Sequence, residues 1–417
     1  MKRSLILLTV VSLLMLAATA GATEIDFWAM TNAPSDQHYA WMNEKAAEFE
    51  AETGIKVNFE EIGWGEIMTR AANAIITGEG AHVFQLGTTQ NPYFAGTGGL
   101  VEIDIDEFGG ADSFFEANLE STTLNGKNYG IPWFAETRAL FYNTEMLKKA
   151  GVEPPNTYLE LVEVGQKIVE VYGKGTAIAT AGTNAWDLIH NWAIILWAYG
   201  GDMLNPDNTA AAFNSEAGVK AMNYWVNLVA TGLADEACAE YNQPQADAAF
   251  INGDAAMCFM GPWNIAGIEA DNPDLPYDIV QPPAGPFGRA SFSGGSNLVI
   301  RSNASKDEIK AAKAWVEFLL RPDILADYTK NLSKFLPSNK EALEDPYYET
   351  GVWATFVKTL GYATAYPPLV EWGEIEGTVQ TNFGNVLADY VDGKYDQNSA
   401  QNYLDTAAAE VNEILGN

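Results

Sequence analysis

Alternation and helical spacing of apolar residues divide the chain into recurring units. EIDFWAM (24–30) alternates as a strand, and Ser35 or Asp36 is placed to cap a helix whose apolar positions run through Trp41 and Phe49 to Gly54. IKVNFEEI (55–62) alternates again, GEIMTRAANAIITG (65–78) has helical spacing closed by glycine, and VFQLG (83–87) is short and apolar throughout. Strand and helix patterns in turn predict an α/β architecture with largely parallel sheets. Further on, Asn125-Gly126 marks a tight turn and Ala139-Leu140-Phe141-Tyr142 suits a central strand. Thr144 is the expected cap of a helix that carries Lys148 and Lys149 near its end and stops at Gly151. Residues 185–232 are helical and aromatic apart from YGGDMLNPDN, AAMCFM and NLVIRS return to strand character, and the last hundred residues are mostly helical. QPPAGPFGRASFSGGS (281–296), with its prolines and glycines, reads as a connection between lobes.

The first 22 residues break this rhythm. Lys2 and Arg3 precede an apolar run from about Leu5 to Leu16 and small residues that include Ala18-Thr19-Ala20, as in a secretory signal. The run is shorter than the roughly 18 residues a spanning helix needs. Export to the periplasm or the outside is expected, and no cysteine at the cleavage site suggests a lipid anchor. The remaining chain exceeds what one hydrophobic core usually supports, so two domains are expected.

The chain has 417 residues, 23 basic and 55 acidic, for a formal charge of −32. Without Lys2 and Arg3 the balance is 21 against 55, or −34. Such a field repels nucleic acid and anionic lipid and favours a neutral or cationic small ligand. Cys238 and Cys258 are the only cysteines; a disulfide between them and two buried thiols stand as alternatives. With His38, His82 and His190 the only histidines, a structural metal site is not expected and no cofactor is implied. Asp104 and Asp106 lack the further ligand positions of a calcium loop.

Signatures of acyl transfer, zinc peptidases, phosphate loops and dinucleotide binding are missing, which points away from an enzyme. A carboxylate pair for glycoside hydrolysis need not be close in sequence, so a secreted glycan-active enzyme is the alternative from another class. Instead, Trp64, Trp133, Trp186, Trp263 and Trp372 each stand beside glycine, proline or polar residues rather than in an apolar stripe. Sugars present flat C–H faces flanked by hydroxyls, and aromatic platforms with planar polar partners suit them.

Several segments, in order, are similar to the extracellular solute-binding proteins of carbohydrate ABC importers of the maltose-binding type. They are FWAM, EFEAETGIKV, ITGEGAHVFQLG, YGIPWFAETRALFYNTEMLKKAGVEPPNTYLEL, AYGGDML, FNSEAGVKAMNYWVNLVATGLA, FINGDAAMCFMGPW and GGSNLVI. One departure is Ala81-His82, where the family usually has Pro-Asp before the third strand. The resemblance implies two α/β lobes, 23–136 plus 290–338 and 137–289 plus 339–417, hinged near Gly294 and Gly295 and closing on a ligand. It implies a neutral mono- or oligosaccharide as ligand, ABC permease subunits as partner and a monomeric receptor. A polyol, a glycosylated compatible solute or glycerol phosphate is the alternative ligand class.

Position by position, the resemblance makes Trp263 the aromatic platform and Glu136 an acid that binds sugar hydroxyls. Asn32, Thr88, Thr89 and Gln90 are expected from first-lobe loops, Trp186, Asp187, His190 and Trp372 as further contacts, and Ser296 beside the hinge; Trp64 and Trp133 are candidates on their loop surroundings alone. Arg138 is left between two roles, donating to vicinal hydroxyls or neutralising Glu136.

Overall fold

The computed structural model describes residues 23–183 and 187–416, so the expected signal segment and Trp186 lie outside the described residues. The elements that position the site, in chain order, begin with β1 (Glu24–Met30), α1 (Ser35–Thr53), β2 (Lys56–Ile62), α2 (Ile67–Thr77) and β3 (Val83–Gly87). Then come β4 (Ile131–Thr137), β5 (Ala139–Asn143), α3 (Thr144–Ala150), α4 (Leu188–Ala198), α5 (Gln243–Ile251), β6 (Met257–Met260) and β7 (Tyr277–Val280). β8 (Ser293–Ile300), α6 (Lys306–Leu319), β9 (Leu336–Pro337), α7 (Trp372–Phe383) and α8 (Ser399–Ile414) complete the set. No helix among the described residues is long and apolar enough to cross a membrane.

The chain falls into two compact units, one made of the chain up to Phe84 with Ile300–Leu319, the other of Gln85–Val299 with Leu320–Asn417. In the first, β1 pairs in parallel with β2 from Glu24 opposite Lys56 to Met30 opposite Ile62, and with β3 through Phe27 and Trp28. The apolar faces close on aromatics: Trp315 of α6 meets Phe27 and Phe49 edge-on at 5.9 and 5.2 Å. His82 gives a physical account of the departure before β3. It is buried, its Nδ1 accepts from the Asp26 backbone N–H at 3.0 Å, and its Nε2 lies 3.2 Å from Glu308, so it ties β1 to α6.

In the larger unit the ladders of β4 with β8 and β9 and of β5 with β6 and β7 are antiparallel, while parallel pairing occurs there as isolated bridges such as Ala179 to Cys258 and Thr157 to Ala284. β5 is central, flanked by β6 and β7 with Phe141 opposite both Cys258 and Ile279, while β4 lies between β8 and β9. Period-2 alternation cannot distinguish parallel from antiparallel neighbours, because side-chain direction alternates in both. The main core gathers Trp192, Trp225, Phe213 and Phe383 with residues of α7 and α8.

Two expected caps are corrected. The cap of α3 is Asn143, whose side chain accepts from the Glu145 and Met146 N–H groups, one residue before Thr144. Neither Ser35 nor Asp36 caps α1; the Ser35 hydroxyl is instead bonded to Glu61. The 281–296 segment is not connection throughout, since β8 begins at Ser293. Cys238 and Cys258 are both buried free thiols.

Candidate functional site

The site in the larger unit is built where β4 ends beside β8. Gly294 pairs with Glu136 and Gly295 with Ala135. A Cβ on Gly294 would lie 2.2 Å from Glu136 Oε1, and one on Gly295, at φ +126°, 2.2 Å from the Phe134 carbonyl oxygen. The glycine pair is therefore what lets β4 and the Glu136 carboxylate approach β8 so closely.

Two residues beyond Glu136, Arg138 is 2% exposed. Its backbone N–H donates to Ser291 Oγ at 3.1 Å, and Ser291 donates back to the Arg138 carbonyl at 2.9 Å. Nη1 ion-pairs with Glu136 and Nη2 with Asp187, and the guanidinium lies 4.4 Å from the Trp263 ring centroid. One cation thus serves two carboxylates and an aromatic face. Of the two roles left open for Arg138, its ion pairs correspond to neutralisation. Burial pushes the Glu136 carboxyl up to about 7, with Arg138 opposing and Asp187 adding to the rise.

Trp263 is half-buried at the N-terminus of the 264–271 helix. Its ring covers the Gly261 backbone so closely that a Cβ there would lie 1.9 Å from it, and Phe335 stands 5.8 Å away at 36°. Gly261-Pro262 accordingly ends β6 and holds the indole over the chain beside Arg138.

A second line of polar groups runs from β8 to α7. His190 stacks flat on Phe292 at 4.1 Å, its Nδ1 lies 3.0 Å from the Tyr366 hydroxyl, and its Nε2 lies 3.4 Å from Glu376 Oε1. Burial lowers the imidazole to about 3, so it is neutral at physiological pH. Glu376 is 1% exposed and burial pushes it up to about 8, with Thr89 and Trp372 as polar neighbours pulling the other way. Trp372 stacks on Tyr366 at 4.4 Å and, with Thr88, Thr89, Pro92, Ser121 and Tyr366, lines a small pocket with room for about one water. Behind the cluster, Asp247 accepts from Gln243 at 2.6 Å and is raised to about 7, chiefly by burial.

The structure thus brings Glu136, Arg138, Asp187, His190 and Trp263 into one network, and Thr88, Thr89 and Trp372 into one pocket. Gln90 closes a turn instead, its Oε1 accepting from the Gly87 N–H at 3.0 Å. Ser296 and Trp133 are corrected to interior positions. The Ser296 hydroxyl is buried and accepts from Gln85 at 2.8 Å. Trp133 is fully buried and stacked on Tyr328 at 4.6 Å, because β4 points it into the core rather than to a surface. In the smaller unit Trp64 is 40% exposed, with its indole N–H donating to the Thr31 carbonyl at 2.9 Å, and neighbouring Asn32 is buried.

Sequence reasoning missed Glu376, Tyr366, Ser121 and Asp247. Glu376 had a usable signal, standing four residues after Trp372 and so on the same helical face, but one acid among 55 carries little weight alone.

The sequence profile of the bacterial extracellular solute-binding proteins matches residues 32–326. The chain belongs to this family. A binding protein of Brucella abortus is 30% identical over 98% of this chain and 97% of its own. The diacetylchitobiose-binding protein DasA of Streptomyces coelicolor is 27% identical over 86% of this chain and 82% of its own. Among solved structures, a solute-binding protein from Thermotoga lettingae bound with α-D-tagatose superposes with a TM-score of 0.81 at 25% identity, covering 94% of this chain and 100% of that one. The GacH receptor of Streptomyces glaucescens, solved unliganded and with acarbose, also gives 0.81 at 25% identity, covering 95% and 99%. The α/β fold implied by the sequence motifs is the fold of these receptors, and members of the family are solute-binding proteins.

Proposed function

We propose that the protein is the substrate-binding component of an ABC sugar importer, which captures a mono- or oligosaccharide and delivers it to permease subunits. The observation that carries this reading is the cluster at the end of β4. Glu136, Asp187 and Arg138 offer planar polar groups beside the Trp263 indole, the combination a sugar ring with flanking hydroxyls requires. The kinship to diacetylchitobiose- and acarbose-binding receptors supports it. A phosphorylated ligand is disfavoured, since among the described residues Arg138 is the one cation of the cluster and both its arms are engaged.

Under this reading two lobes, 23–136 plus 290–338 and 137–289 plus 339–417, close on the sugar around Gly294 and Gly295. The ligand favours the closed form because it binds that form more tightly. Asn32 and Trp64 belong to the proposed contacts from the first lobe, and the exposed Trp64 ring fixed to Thr31 suits a platform. Residues 1–22 direct export, the receptor works as a monomer outside the cytoplasm, and no chemistry is done on the sugar.

An aromatic platform contributes on the order of 0.5–1.5 kcal/mol beyond its buried area. Trp263→Ala removes that together with the burial and the support of Arg138, and is expected to weaken sugar binding at least tenfold, read by calorimetry against the sugar the wild type binds best. Unchanged affinity would remove Trp263 from the site.

A further inference from the structure

Two enclosed groups of the smaller unit take no part in the cluster around Arg138: His38, with none of its surface exposed, and the Glu61 carboxylate, whose side chain is 8% exposed. They meet where the start of α1 lies against the end of β2. His38 Nδ1 is 2.5 Å from Glu61 Oε2, the Ser35 hydroxyl donates to Glu61 Oε1, and the Glu61 backbone N–H donates to the Tyr39 hydroxyl at 3.1 Å. The rings of His38 and Tyr39 both stand edge-on to Phe59 at 5.1 Å, so the junction rests on an apolar seat. Serine is a good helix cap, yet α1 begins without a side-chain cap and the Ser35 hydroxyl goes to Glu61. Local helix-end stability is given up for a fixed joint between α1 and β2, a kind of departure found at functional positions.

The 31–34 loop runs between β1 and this joint, and Trp64 stands just beyond β2. Trp64 has a glycine on either side, and all three residues are exposed, so its own segment leaves the indole conformational freedom. Thr31 restrains it. The indole N–H donates to the Thr31 carbonyl at 2.9 Å, and the Thr31 N–H donates to the Ile62 carbonyl at 3.1 Å. The loop that carries this anchoring carbonyl is therefore tied to β2 at both ends, through Ile62 at Thr31 and through Glu61 at Ser35 and His38. We propose that Glu61 is a positioning residue for Trp64: by fixing the 31–34 loop it lets Thr31 hold the exposed indole in one orientation, ready to stack on a sugar ring. A ring already oriented loses less freedom when the sugar arrives. This inference rests on the sugar-binding reading, which makes Trp64 a contact, and adds to it a residue that acts only through that contact.

Fluorine NMR of the ligand-free protein labelled with 5-fluorotryptophan reads the indole directly. The chain has twelve tryptophans, and the Trp64 signal is the one lost in Trp64→Phe. In Glu61→Ala that signal is expected to narrow and move toward its position in the urea-unfolded protein, while the signals of the core tryptophans stay in place. Glu61→Gln still offers hydrogen-bond partners to Ser35 and His38, and is expected to show at most about a quarter of that displacement. A Trp64 signal that stays in place in Glu61→Ala, or moves no more than the core signals, overturns the proposal. Should Glu61→Ala fail to fold, Ser35→Ala and Tyr39→Phe each remove one bond of the joint, and an unmoved Trp64 signal in both overturns it likewise. Calorimetry with glucose, galactose, xylose, maltose and cellobiose carries the test to binding. For a sugar that the wild type binds, Glu61→Ala is expected to weaken affinity about fivefold, and less than about twofold once Trp64 is alanine, because the effect runs through the indole. Full affinity in Glu61→Ala, or an equal loss in the Trp64→Ala background, overturns the proposal. If none of these sugars binds the wild type, that counts against the sugar-binding reading, and the fluorine signal still decides the role of Glu61.

Discussion

Arg138→Met is expected to destabilise the protein by about 3–5 kcal/mol, the cost typical of removing one partner from a buried ion pair. The guanidinium is 2% exposed and bridges Glu136 to Asp187, so methionine fills much of the space but leaves two carboxylates facing each other without a cation. The loss is read as a lowered midpoint in urea at unchanged slope. Arg138→Lys keeps the charge but cannot reach both carboxylates with a planar fork, and falls in between. A midpoint for Arg138→Met within about 0.5 kcal/mol of wild type would show that the triad contributes little to the fold. Since the same side chain supports the Trp263 face at 4.4 Å, sugar affinity is expected to fall with stability.

A second large effect is in the pH dependence of stability. Glu136 and Asp247 are raised to about 7 and Glu376 to about 8, in each case chiefly by burial. A carboxyl raised in the folded state keeps its proton after the unfolded chain has lost it, so the folded state is disfavoured increasingly as pH rises toward the folded value. His190, lowered to about 3, works the other way: between about 3 and 6.5 the unfolded chain binds its proton and the folded chain does not, so this group makes stability rise with pH. The two trends oppose each other below pH 6.5. Above it His190 is neutral in both states and the carboxyls act alone. The stability of the ligand-free protein is therefore expected to fall from pH 6.5 to 8.5, by up to about 1.4 kcal/mol per pH unit for each proton still held, and its melting temperature to fall with it. Glu376→Gln should flatten that fall. A melting temperature that rises or stays level across this interval would contradict the protonation assigned to the three acids.

How much of this was legible in the sequence depended on how local the determining forces are. EIDFWAM is β1 from end to end, and Ala139 to Tyr142 is the central strand expected of it, because alternation and apolar runs are properties of adjacent residues. Pairing direction was legible in the first unit, where β1, β2 and β3 are parallel as expected, and not in the larger one: there it is fixed by which segment arrives alongside, and the antiparallel partners of β4 come from residues near 295 and 336. The site divides in the same way. Trp263 and Glu136 stood out through motif context. Trp133 had equally polar surroundings in sequence yet is enclosed, because the strand's facing, not its composition, decides where an indole points. Arg138 was recognised without its role, since the second carboxylate, Asp187, comes from a segment 49 residues away. The small pocket at Trp372 was missed for a related reason: Thr89 and Trp372 meet only in the folded chain.

The measurement that bears most directly on the central reading is a thermal-shift screen of the purified, ligand-free protein against a broad panel of neutral and amino sugars, with phosphorylated sugars and glycerol phosphates alongside. A ligand at a hundred times its dissociation constant adds about 2.7 kcal/mol to stability. A clear rise in melting temperature with one sugar or a related group of sugars, and none with the phosphorylated compounds, is the predicted result. A shift produced only by phosphorylated compounds, or none with any sugar, would contradict it.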